Sequence, residues 1–127
     1  MIQRDDLRRV VAIAENRGFR HSAGIDMLLY GETNSARNAV HLLYAGEKAK
    51  ATQLEFHPRI NPVRAGHRQD FWVIPVLDLV RMKLSSCLDK DRVHVRGMDA
   101  AGLITSNVEH GLSEDLLARL RNIRETE

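Results

Sequence analysis

Four groups of residues have the type and spacing to do chemistry. Lys83 falls four residues after Leu79 and three after Val80, which sets it on or beside an apolar helical stripe. Its stem can cover apolar surface while the ammonium reaches water, or the ammonium can point into a cleft and hold phosphate. The second group is the charged run Asp89-Lys90-Asp91-Arg92, with His94 one turn beyond Asp91. Asp91 there can accept from the free N–H groups of a helix it opens, and charged groups at a helix start also suit an anion. The two roles are compatible. Third, Ala45-Gly46-Glu47-Lys48 follows an apolar run, as either a functional loop or a plain turn. Fourth, Asp26 and His41 are polar residues inside short apolar runs. Alternation turns each to the face opposite its neighbours. If that face is a cleft, Asp26 is a metal-ligand candidate; if it is solvent, Asp26 is the polar half of a strand pattern. The same holds for His41.

Several chemistries have no footing. The remaining histidines, His21, His57, His67 and His110, are scattered, and no Cys/His spacing matches a zinc site. The chain has no Gly-rich phosphate loop, no Gly-x-Ser-x-Gly elbow and no Gly-x-Gly-x-x-Gly. Cys87 sits on an apolar stripe and reads as a core residue; as the single cysteine it rules out an internal disulfide and suits a reducing compartment. Nineteen basic against seventeen acidic residues give a net charge of +2, which neither requires nor excludes a nucleic-acid partner. With 43% apolar and 28% charged residues the 127-residue chain has a globular composition. No apolar run is long enough for a membrane span and no signal peptide is legible, so a cytoplasmic protein is expected.

The elements that must position these groups follow from periodicity. Leu7, Val10, Val11 and Ala14 predict a helix from Asp5 to Asn16, ended by Gly18, with Arg4, Arg8, Arg9 and Glu15 on a solvated face. Ile25–Tyr30 and Val40–Tyr44 predict two neighbouring strands of one sheet across a turn-rich Gly31–Ser35. Gly46 to Gly66, with Pro58 and Pro62, reads as an irregular excursion containing a short edge strand around Gln53 to Phe56. Phe71–Ile74 predicts a strand, and Pro75 suits the first turn of a helix running to Leu88, with Val76, Leu79, Val80, Leu84 and Cys87 as its stripe. A further helix is expected from Asp91 to Ala101, capped by Gly102. A last one opens at Ser113, burying Leu116, Leu117, Leu120 and Ile123, and there Arg119, Arg121 and Arg124 suit the helix dipole. The order points to one α+β domain, a small mixed sheet with helices packed on it: residues 1–74 form the helix-and-sheet portion and 75–127 the helical portion.

Gly24–Leu29, Ala39–Lys48, Leu79–Leu84 and Asp89–His94, in this order and spacing, resemble a bacterial nucleotidyltransferase family of the polymerase-β-like superfamily, with Val80 to His94 the most specific block. The resemblance implies a Gly-Ser turn, an Asp-x-Asp strand immediately ahead of the first helix, and a third carboxylate from a later strand. Together the carboxylates would bind two divalent metals for nucleotide transfer. Here Ile2 and Gln3 stand where the Asp-x-Asp strand would end, and the chain offers no Gly-Ser turn and no strand with Asp-x-Asp. His41 aligns with the third carboxylate, a shifted register offering Asp26 instead, and His94 stands where related sequences have Asp. The expectation is a truncated nucleotidyltransferase-like fold, incomplete for catalysis alone, that keeps a nucleotide or phosphate pocket around Lys83, Lys90, Asp91, Arg92, Glu47 and Lys48. No cofactor is required; Mg2+ and a nucleotide are the ligands of a working pocket. A homo-oligomer, or a partner chain completing the sheet, would cover the edge left open. The alternatives are an active enzyme whose Asp-x-Asp segment lies on another chain or is missing from the sequence given, and an interaction module such as a toxin–antitoxin partner.

Overall fold

The computed structural model describes residues 1–61, 66–68 and 71–126. Pro62 and the rest of 62–65, read above as part of the irregular excursion, lie outside the described residues. A 3-10 turn at Arg4–Asp6 leads into helix α1 (Leu7–Glu15). Leu7, Val10, Val11 and Ala14 face the sheet, as their spacing predicts, and pack with Ile2 and Phe19 on buried Leu28, Leu42 and Tyr44. Gly18 ends the helix in the left-handed region (φ 87°), its N–H bonded to Glu15 O at 3.1 Å.

From Gly18 the chain passes directly into β1 (Phe19–Ser22), which pairs antiparallel with β2 (Met27–Tyr30), and β2 pairs antiparallel with β3 (Ala39–His41). The two predicted strands are therefore neighbours, but their bounds differ. Ala23–Ile25 form a 3-10 turn and Asp26 is left-handed (φ 48°), so β2 opens only at Met27. After β3 the chain leaves the β2 ladder once Leu42 N–H has met Asp26 O at 2.8 Å. It then pairs in parallel with Ile2, whose N–H binds Leu43 O and whose carbonyl accepts from Ala45 N–H, both at 2.9 Å. The pairing is thus mixed at this edge. Strand β1 was not expected: Phe19-Arg20-His21-Ser22 carries one large apolar residue and no alternation. It is held by its partner and by an edge-on Phe19–Tyr30 contact with ring centroids 5.1 Å apart.

The expected edge strand at Gln53–Phe56 does not form. Residues 46–57 make a closed loop instead, its ends joined by Gly46 N–H to His57 O (3.1 Å) and His57 N–H to Glu47 O (2.8 Å). Buried Gln53 fills it, accepting from Ala49 and Lys50 N–H at 2.7 and 3.3 Å, while the buried His57 ring meets Tyr44 O at 3.1 Å. One side-chain amide and one imidazole thus partner main-chain groups that no strand pairs.

A separate antiparallel hairpin, β4 (Gly66–Arg68) and β5 (Phe71–Val73), precedes the helical half. That half is α2 (Val76–Ser86), α3 (Asp89–Ala100), α4 (Ser106–His110) and α5 (Glu114–Glu125). Pro75 is the N-cap of α2 rather than its first residue, and α3 starts two residues before the expected Asp91. Short α4, not anticipated, is capped by Thr105 Oγ1 accepting from Val108 N–H. Gly102 (φ 72°) closes α3 with its own N–H on Asp99 O and Leu103 N–H on Met98 O, so both main-chain bonds of a glycine-terminated helix are made. Val80, Leu84, Val95, Leu116, Leu120 and Ile123 form a core of their own, all within 1% of full burial. The α+β class holds, with a correction to how the layers meet. Among the described residues α1 packs on the sheet core, whereas α2, α3 and α5 pack on one another. No helix among the described residues is long and apolar enough to cross a membrane.

The two halves are joined through the closed loop. Ser85 Oγ, 2% exposed, accepts from Glu55 N–H at 2.7 Å and donates to Glu55 O at 3.1 Å. Ser85→Ala strands both main-chain groups, so a loss of about 1–3 kcal/mol in urea unfolding is expected; an unchanged midpoint would contradict this account of the joint.

Candidate functional site

Two polar clusters hold the candidate residues. The first lies where the chain leaves β3. Arg4, carried by the 3-10 turn before α1, sets its guanidinium 3.4 Å above the Tyr44 ring, and its Nε donates to Glu47 Oε1 at 3.2 Å while its terminal nitrogen pairs with Glu47 Oε2. Beneath, the buried Tyr44 hydroxyl donates to Asp26 Oδ1 at 3.0 Å. Burial, followed by the Asp26 hydrogen bond, pushes the Tyr44 phenol above its ordinary value, so it stays a donor. The Arg4 hydrogen bond holds the Glu47 carboxyl low. Asp26 therefore stands in a left-handed turn against a tyrosine, not mid-strand as expected. His41 lies opposite Met27 and is exposed, and Lys48 sits 5.0 Å from the Phe56 ring centroid.

The second cluster lies between α2 and α3. Lys83 Nζ donates to Asp91 Oδ1 at 2.7 Å, so its ammonium is paired with a carboxylate while about a quarter of the side chain stays exposed. Asp91, 4% exposed, is the third residue of α3 and accepts from Leu88 N–H behind it and from Ser86 as well as from Lys83. Burial raises its pKa, but these bonds together outweigh burial and hold the carboxyl below its ordinary value. Sequence reasoning passed over the one Asp-x-Asp of the chain, Asp89-Lys90-Asp91, which opens a helix rather than lying on a strand. Lys90 is exposed.

Arg92 points elsewhere. It lines a groove of about 520 Å3 with Thr52, Ser86, Cys87, Arg119 and Asn122. Lys83 instead borders an apolar groove of about 460 Å3 with Leu79, Val93, His94 and Met98. The structure thus pairs Lys83 with Asp91, links Asp26 to Glu47 through Tyr44 and Arg4, and sets Arg92 and Lys83 on different grooves. Sequence reasoning overlooked Arg4, Tyr44, Glu55 and Arg119. Tyr44 was visible only as the end of an apolar run, and Arg4 only as one charge on a solvated face.

Among the described residues no group of three His, Cys, Asp or Glu side chains could hold a metal ion. With Asp26 engaged by Tyr44 and Glu47 by Arg4, these residues do not fit a pair of divalent ions. No family model, curated protein or solved structure matches the chain.

The Lys83–Asp91 pair gives stability a definite pH dependence. Because the folded carboxyl titrates below the unfolded value of about 3.8, its contribution is complete above that pH and disappears as pH falls through the folded pKa. Asp91→Asn is expected to lower stability at neutral pH by roughly 1–3 kcal/mol and to flatten the acid limb of stability against pH. Parallel acid limbs for variant and parent in urea melts would show that the pair contributes nothing there.

Proposed function

We propose that this chain is a nucleotidyltransferase-like protein of the polymerase-β-like superfamily, catalytically incomplete alone, whose working face is the sheet end where Asp26, Tyr44, Arg4 and Glu47 meet. The parallel pairing of Ile2 with Tyr44 is its main support. The resemblance sets an Asp-x-Asp strand immediately before a helix like α1, in a sheet with the strand that offers the third carboxylate. Ile2 lies immediately before α1 and bonds to Leu43 and Ala45, on the continuation of the strand that carries His41. Two carboxylates stand at this face, one neutralised by an arginine, so the residues in hand supply a nucleotide-facing surface but not a two-metal centre. On this reading transfer chemistry needs carboxylates from a second chain, a further copy or a partner that pairs with the sheet, in the reducing cytoplasm that free Cys87 suits.

A second reading, an interaction module of the toxin–antitoxin kind, is favoured by one observation. Phe71, Trp72 and Val73 of β5 are 57%, 56% and 39% exposed, an apolar ribbon of the type partners cover.

A thermal-shift screen of nucleoside triphosphates, with and without magnesium, separates these readings. The expected result is a rise of a few degrees with at least one triphosphate, little altered by magnesium, and no transfer of labelled nucleotide by the isolated chain. Magnesium-dependent transfer by this chain alone would remove the claim of incompleteness. No shift with any nucleotide would leave the interaction module.

A further inference from the structure

We propose that the groove between the end of α2, the start of α3 and α5 is a phosphate-binding site, with Arg92 and Arg119 as its two guanidinium ligands. This does not rest on the nucleotidyltransferase reading, because its residues belong to the helical half and to Thr52 of the closed loop.

Two guanidiniums line this groove and no carboxylate does. Arg81 and Arg124 are neutralised by Glu55 and by Asp99 with Glu109, respectively. Arg92 and Arg119 have no ion-pair partner among the described residues; neutral oxygens orient them instead. One terminal nitrogen of Arg119 donates to Leu84 O and Ser85 O at 2.8 and 2.7 Å. One terminal nitrogen of Arg92 donates to Asn122 Oδ1 and Thr126 Oγ1 at 3.3 and 3.1 Å. Both forks are therefore aimed while their charge stays uncompensated, and each keeps nitrogens outside these bonds. That is a preorganised arrangement for an oxyanion, and a guanidinium fork matches phosphate geometry. The Thr52 hydroxyl and the Asn122 amide nitrogen add neutral donors. At about 520 Å3 the groove exceeds the needs of bare phosphate and falls in the range that holds small ligands, so it admits the ester of a small molecule as well as the free ion.

Calorimetric titration of the full chain with inorganic phosphate, AMP and adenosine tests the site. Phosphate and AMP bind and adenosine does not; tighter binding of AMP identifies a monoester as the ligand, and equal binding identifies free phosphate. Arg92→Gln, which removes only contacts to Asn122 and Thr126, weakens phosphate and AMP by about tenfold or more. Arg8→Gln, on the exposed face of α1 and outside the groove, leaves both within about twofold. Arg119→Lys keeps a charge near the α2 carbonyls and weakens binding through loss of the fork. The proposal is overturned if the parent chain binds neither phosphate nor AMP, or if Arg92→Gln binds them as the parent does.

Discussion

The last turn of α2 buries Leu84 and Ser85, and carbonyls at a buried helix end must find partners. Cys87 turns into the left-handed region (φ 51°) and returns its N–H to Lys83 O at 2.8 Å, closing the helix without a glycine. A side chain there pays roughly 1–2 kcal/mol of steric strain, so the surroundings must fix the turn. They do so from three directions. Arg119 reaches from α5 to Leu84 O and Ser85 O. Ser85 Oγ grips the Glu55 backbone, and the Glu55 carboxylate extends to Arg81 and to Ser113, the cap residue of α5. The Lys83–Asp91 pair binds the last turn of α2 to the first of α3.

This joint explains how two separate cores behave as neighbours. The sheet core is small and gathers under α1, whereas the helical core is continuous and nearly dry. Between them stands the 46–57 loop, in which buried Gln53 serves the loop's own backbone, the buried His57 ring meets Tyr44 O ahead of it, and Glu55 serves the helices. A loop filled by hydrogen bonds depends on every partner being present.

The helices were legible because their signal is periodic and redundant. Leu116, Leu120 and Ile123 repeat at helical spacing and are buried as expected, and Leu7, Val10, Val11 and Ala14 lie on the sheet. What escaped depends on contacts distant in the chain. Four-residue β1 exists through its pairing with β2, and Asp26 takes a turn conformation that an apolar run around it disguised. Lys83 and Asp91 were both singled out, but as two members of one phosphate pocket; spacing showed that each was unusual, not that they neutralise each other. Arg119 was read as complementing the dipole of its own helix, whereas it completes the end of another. Side-chain partners between helices leave no periodic trace, so such residues look like ordinary surface charges until the fold is built.

The sole indole of the chain, Trp72, stands on the outer hairpin with more than half its area in solvent, away from both apolar cores. Its intrinsic emission is therefore already that of a hydrated ring in the native state. An emission-monitored melt would register fraying of the ribbon and stay nearly blind to collapse of the helical interior. The same ring would shift to the blue when a second macromolecule settles over β5, which makes it a built-in reporter of association rather than of folding.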